Sequence, residues 1–191
     1  NLHAIWGTAA NDIWAMGDNA TILYWNGTSW TRKQSGHFEP MYAIWGTAKN
    51  DIWAAGATGI IQHYDGTSWS TESDTGSDNK TLYAIWGRSK SDVWAVGEMG
   101  ALWHFDGSSW IGQDSGATRA FHAVWASSAS DVIVVGEAGM TLRKSGDAWK
   151  GSTNENIPNL TATWSATHND AWAVGHAGVA LRWDGRGWTA S

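Results

Sequence analysis

The chain is 191 residues long, 42% hydrophobic and 16% charged, with 17 tryptophans and a formal net charge of −6. The apolar content excludes a disordered chain, and an acidic balance without a clustered Lys/Arg footprint argues against a nucleic-acid partner. With no cysteine and no apolar run near the roughly 18–20 residues that span a bilayer, disulfides, cysteine-zinc sites, cysteine nucleophiles and membrane insertion are not expected.

The first predicted strand is the AIW segment ending at Trp6, and the second is DIWAMG, Asp12–Gly17. The third is TILYW, Thr21–Trp25, and the fourth begins near Trp30. The same order then recurs four more times. The strand-one tryptophans Trp6, Trp45, Trp86, Trp125 and Trp164 are spaced 39, 41, 39 and 39 residues apart. Six residues after each stands Asp12, Asp51, Asp92, Asp131 or Asp170, and five later Gly17, Gly56, Gly97, Gly136 or Gly175. Four units carry G-x-x-G between strands two and three, and four carry Asn-Gly or Asp-Gly between strands three and four, the type I′ hairpin signal. Both prolines, Pro40 and Pro158, fall in connectors, where a missing N–H is harmless.

Four short strands per unit of about 40 residues, without separate caps, predict an all-β, five-bladed β-propeller with four antiparallel strands per blade. The repeats run about 1–39, 40–80, 81–119, 120–158 and 159–191 within one domain, 1–191. A blade packs on a neighbour through both faces, so strand two is expected to be apolar on both sides. Trp14, Trp53, Trp94 and Trp172 should be largely buried, with Ile133 taking that place in unit four. Five units should close as one ring.

The stretches Asp65-Gly-Thr-Ser-Trp69, Asp106–Trp110 and Asp184–Trp188 resemble the Asp-box turn of bacterial propellers. Asp92-Val-Trp-Ala-Val-Gly97 followed by Gly100-Ala-Leu-Trp-His104 is similar to Asp-box-type propellers that include photosystem assembly factors. It is also similar to the fucose-binding propeller lectins of insect-pathogenic bacteria. No Ser/Thr stands two residues before Asp65, Asp106 or Asp184, a departure from the full Asp-box. The resemblance implies the propeller fold, and either sugar binding or an assembly role.

Candidate chemistry is sparse. One aspartate per blade cannot converge on a metal, so Asp12 and its equivalents read as turn residues accepting backbone N–H bonds. The inner strands lack the paired carboxylates of a glycosidase, and no G-x-S-x-G, P-loop or H-E-x-x-H motif occurs. The chain is therefore expected not to be an enzyme and to need no cofactor. Strand three carries an aromatic position, Trp25, Tyr64, Phe105 and Trp183, with Lys144 in unit four, and Trp103 lies on the same face. Beside it runs a polar position, Tyr24, His63, His104, Arg143 and Arg182.

Core packing and ligand contact compete as readings of these residues. The functional reading takes Trp25 with Tyr24, His63 with Tyr64, Trp103 with His104, and Trp183 with Arg182 as ligand-binding. Neighbours on a strand face opposite ways, so such sites would lie in grooves between blades. The leading expectation is a multivalent, lectin-like propeller binding glycans. The alternatives are a protein-interaction or assembly scaffold, or an excerpted or designed propeller without selected function. A monomer is favoured, and a secreted or cell-surface bacterial location is expected. The connectors 36–40, 75–80, 116–120 and 154–158 are the next candidates for contact.

Overall fold

The computed structural model describes residues 1–34, 36–72 and 79–191; part of the 75–80 connector therefore lies outside the described residues. The protein is a five-bladed, all-β propeller of five four-stranded antiparallel sheets. Blade 1 comprises β1 (Leu2–Ala9), β2 (Asp12–Gly17), β3 (Thr21–Trp25) and β4 (Trp30–Lys33). Blade 2 comprises β5 (Met41–Ala48), β6 (Asp51–Gly56), β7 (Ile61–Tyr64) and β8 (Trp69–Glu72). Blade 3 follows with β9 (Leu82–Ser89), β10 (Asp92–Gly97), β11 (Leu102–Phe105) and β12 (Trp110–Gly112). Blade 4 has β13 (Phe121–Ser128), β14 (Asp131–Gly136), β15 (Thr141–Ser145) and β16 (Ala148–Ser152). Blade 5 has β17 (Leu160–Thr167), β18 (Asp170–Gly175), β19 (Ala180–Trp183) and β20 (Trp188–Ala190). The four predicted strands per unit are all present, and strand one is longer than its AIW core.

Local chemistry explains the turns. After strand two, the G-x-x-G segments make a single 3-10 turn whose second residue is left-handed, as at Met99 (φ 51°) and Thr58 (φ 56°). After strand three, the Asn26, Asp65, Asp106 and Asp184 side chains each accept two backbone N–H bonds from the next turn residues, at 2.7–3.1 Å. These bonds hold Asp65, Asp106 and Asp184 below the usual carboxylate range and close the hairpin as an Asx turn. Gly97 lies where strand one enters the sheet. A Cβ there would stand 2.0 Å from the Thr81 carbonyl oxygen, so the glycine is required by close backbone approach.

Strand one contains a feature that its sequence does not announce. Its register against strand two shifts by one residue at the second position in every blade. The extra residues of these bulges are His3, Tyr42, Tyr83, His122 and Thr161. A bulge leaves its extra residue out of the ladder and re-aims the side chain.

The core consists of four seams between consecutive blades, with the inner strands β1, β5, β9, β13 and β17 packed in that order. In blade 3, Val93 and Ala95 face back onto Trp53, Ala55 and Ile61 of blade 2. Trp94 and Val96 face forward onto Phe121, Val124, Val132 and Val134 of blade 4. Equivalent residues build the seams of blades 1 and 2 and of blades 4 and 5. Both faces of strand two are thus apolar because each is buried against a different neighbour.

The ends of the series behave differently, and here the expectation of a closed ring is corrected. β17 and β1 form no packed pair comparable with the other four. Ile5, on the rear face of blade 1, is 68% exposed, while its equivalent Ile85 is 7% exposed. On the forward face of blade 5, Val174 is 44% exposed and its equivalent Val96 fully buried. Trp14, Trp53 and Trp94 are buried as expected, but Trp172 is only half-buried because no blade covers it. The arrangement yields a direct stability test. Ile85→Ala is expected to cost about 2–4 kcal/mol by chemical denaturation, and Ile5→Ala under about 1 kcal/mol. Equal losses would mean that the rear face of blade 1 is covered in solution.

Candidate functional site

The aspartate that opens strand two organises the solvent end of each blade. In blade 3, Asp92 Oδ1 accepts from Trp94 Nε1 at 3.0 Å and pairs with His104 Nε2 at 2.8 Å. Its Oδ2 accepts from Arg88 Nε at 3.2 Å. The His104 ring lies stacked on Trp94, centroids 4.0 Å apart. Blade 2 repeats the device with His63 on Asp51 (2.7 Å) and on Trp53 (4.2 Å), and Thr47 donating to the same carboxylate. In blade 1, Tyr24 packs on Trp14 at 4.7 Å and Thr8 donates to Asp12. Arg143 Nη2 and Ser127 Oγ donate to Asp131 at 2.9 and 2.6 Å, and Arg182 Nε donates to Asp170 at 3.0 Å. The partners of these aspartates are thus side chains rather than turn amides, drawn from strands one to three of the same blade and, at Asp131, also from His168 of blade 5 at 3.2 Å.

Burial pushes the Asp92 carboxyl up, but the hydrogen bond and charge of His104, with the bonds from Arg88 and Trp94, outweigh it and hold it low. A depressed carboxylate supplies stability above its unfolded pKa of about 4 and loses it as pH falls through the lower folded value. At pH 6, Asp92→Asn is expected to cost about 1.5–3 kcal/mol. That deficit should shrink as the pH is lowered below about 4 in urea titrations. A deficit constant down to pH 2 would remove the carboxylate charge from the explanation.

The aromatic position of strand three faces the preceding blade. Tyr64 packs on Trp14 at 4.8 Å and Phe105 on Trp53 at 4.8 Å, each backed by its own strand-four tryptophan, Trp69 or Trp110. Lys144 stands over Trp94 at 5.2 Å. A strand-two tryptophan therefore separates the polar residue of one blade from the aromatic residue of the next, as in the stack His63–Trp53–Phe105. Trp25 has no preceding blade; it packs against Trp30 at 5.6 Å and donates to the Ala10 carbonyl at 3.0 Å. Trp103 lines a hollow of about 200 Å³ with Lys80, Gly112 and Gln113.

The seam between blades 4 and 5 departs from this plan. Ile133 replaces the tryptophan, and the Arg143 guanidinium reaches across to the Trp183 ring at 4.8 Å. An aromatic and a polar residue of neighbouring blades meet here, the inter-blade geometry expected from the strand alternation. A groove of about 370 Å³ opens beside them, lined also by Lys150, His168, Arg186 and Trp188. Arg143 is buried, and among the described residues its Nε and Nη1 have no hydrogen-bond partner. Its Nη2 donates to Asp131, to His168 Nδ1 at 3.0 Å and to the His168 carbonyl. Three cationic side chains so converge on one groove of a chain whose net charge is −6. The strand-three residues that the sequence reading assigns to ligand binding are dispersed among four blades, 1, 2, 3 and 5. Of these, Trp183 lines this groove, while Tyr24 and Tyr64 line a smaller hollow between blades 1 and 2 with Lys33 and Lys49. Lys150, His168 and Arg186 escaped the sequence reading; the isoleucine at 133 was the available signal.

No family model and no curated protein matches the sequence. Solved structures do match. Over the whole chain, YCF48 bound to D1 peptide superposes with a TM-score of 0.52 at 15% identity, with 82% of that chain covered. The WD40 β-propeller domain of Doa1 gives a TM-score of 0.82 at 7% identity, with 100% of this chain and 67% of that chain covered. YCF48 from Cyanidioschyzon merolae gives 0.69 at 12% identity, with 100% and 70% covered. These likenesses establish the β-propeller fold.

Proposed function

We propose that the protein is a non-enzymatic interaction propeller that docks a partner polypeptide in the groove between blades 4 and 5. The observation that carries this reading is the groove itself: Arg143, Lys150 and Arg186 converge there beside Trp183 and Trp188, at the seam where Ile133 stands in place of the tryptophan of the other three. A carboxylate entering the groove pairs with the exposed Lys150 and Arg186, and Trp183 and Trp188 offer apolar walls to the flanking side chains. β16 is the outer edge of its sheet, and its unpaired main chain gives an extended peptide somewhere to run. The structural neighbour YCF48 is described as bound to a peptide, which supports a polypeptide as the class of ligand.

The test is a fluorescence-anisotropy titration with a labelled Glu-Leu-Glu-Leu-Glu-Leu peptide. Lys150 and Arg186 are both exposed, so Lys150→Glu and Arg186→Glu should leave the fold intact. Each is expected to weaken binding at least about tenfold, with parent affinity falling as salt rises. Binding that is unchanged in both variants would place docking elsewhere.

Glycan binding is the second reading, favoured by the hollow at Trp103, where an indole adjoins Gln113 and Lys80. A sugar stacking on that indole would lose about 1–3 kcal/mol in Trp103→Ala, on the scale of base stacking; because the ring also packs against the seam of blades 2 and 3, the melting temperature is expected to fall as well, and binding is compared under conditions where the variant is folded. A glycan array without hits, or a variant that binds a captured glycan as well as the parent, would end this reading.

A further inference from the structure

The strand-one bulges place one side chain per blade on the innermost strands, clear of the seams. Their rings contact each other from blade to blade: His3 with Tyr42 at 5.1 Å, Tyr42 with Tyr83 at 6.1 Å, and Tyr83 with His122 at 5.8 Å. The rings are tilted by 45–53° to one another, so they form a continuous wall along the inner strands. None of the four belongs to the seam clusters. Tyr83 is exposed, and Tyr42 and His122 are half-buried. The wall stops at blade 5, where the bulge residue is Thr161.

Carboxylates stand at the same end of the blades. Glu98 and Glu137 follow strand two directly, and each accepts a backbone N–H from the residue before strand one, Thr81 or Ala120, at 3.2 Å. Each acid is thereby anchored two residues from the ring of its own blade. Burial, then the charge of Glu98, with smaller contributions from Tyr42 and Glu137, raises the Tyr83 hydroxyl above its ordinary value. Burial lowers His122 despite Glu137, which favours a neutral ring at neutral pH. Arg119, next to Ala120, is turned to Glu155 at 2.6 Å. The best-furnished part of the wall therefore lies on blades 3 and 4 and presents π-faces and carboxylates together.

We propose that this aromatic wall, with Glu98 and Glu137, binds a cationic side chain, arginine or lysine, of a partner polypeptide. A cation within about 6 Å of several ring centroids gains from each ring quadrupole, and a desolvated cation additionally needs a counter-charge. The wall supplies both. The preference is opposite to that of the groove between blades 4 and 5, and the proposal borrows from that reading only the polypeptide nature of the ligand.

The probe is a fluorescein-labelled nine-residue Gly/Ser peptide with one central arginine, titrated by anisotropy beside its citrulline twin, which keeps the shape and loses the charge. The parent is expected to bind the arginine peptide saturably and the citrulline peptide at least tenfold more weakly. Tyr83→Leu should weaken arginine-peptide binding at least fivefold, and Glu98→Gln with Glu137→Gln should flatten its salt dependence. Near-UV circular dichroism reports whether the seam tryptophans remain packed. Binding of the Glu-Leu peptide by Tyr83→Leu separates failure here from failure of the groove. Equal affinity for citrulline, an unaffected Tyr83→Leu, or no saturation at millimolar peptide would each overturn the proposal.

Discussion

A carboxylate at the seam is the constraint from which the rest of each blade follows. Asp92 is almost fully buried, and an ionised carboxylate taken out of water must be surrounded by donors or it destabilises the fold by several kcal/mol. The donors come from three strands: Arg88 at the end of strand one, Trp94 on strand two and His104 on strand three. Satisfying the acid therefore aligns the strands and fixes the tryptophan ring on which the histidine stacks. That ring is in turn the forward surface of the blade. The polar knot and the apolar seam are one device, since the group that satisfies the charge also shapes the hydrophobic contact.

Much of the fold was legible because it depends on local chemistry at fixed spacing. Asx turns at Asn26, Asp65, Asp106 and Asp184, glycines at the strand-two exit, and strand-two residues apolar on both sides all carry their explanation in the chain. What was not legible depends on neighbours. An alternation of period two says that Tyr64 and His63 face opposite ways, but not that Trp14 and Trp53 occupy the two sides. The ties of His63 to Asp51 and of His104 to Asp92 are equally invisible in that alternation. The bulge at Tyr83 leaves no mark in composition, because any residue can be the extra one. Ring closure was inferred from unit count, whereas closure depends on the angle between blades, a property of side-chain volumes summed over four seams.

The departures from the repeat are more informative about interactions than the repeat itself. Where tryptophan fills the seam, strand-three residues are consumed by packing. Where Ile133 leaves room, an arginine reaches across to Trp183 and a groove forms. The inner wall follows the same logic in another place, because a residue excluded from the ladder is excluded from the seam as well. The two surfaces carry opposite charge at different places on the blades, so a single extended partner with separated acidic and basic segments would be read twice on one rigid frame.

The seams have one further consequence. Each is made by the forward face of one unit and the rear face of the next, and in three of the four corresponding residues stand at each position, so these seams carry little information about their place in the series. Tandem duplication or loss of a whole unit needs no new interface. Such an architecture can change its number of blades in one genetic step, while substitutions that individualise a seam, as at Ile133, record which blade has acquired its own employment.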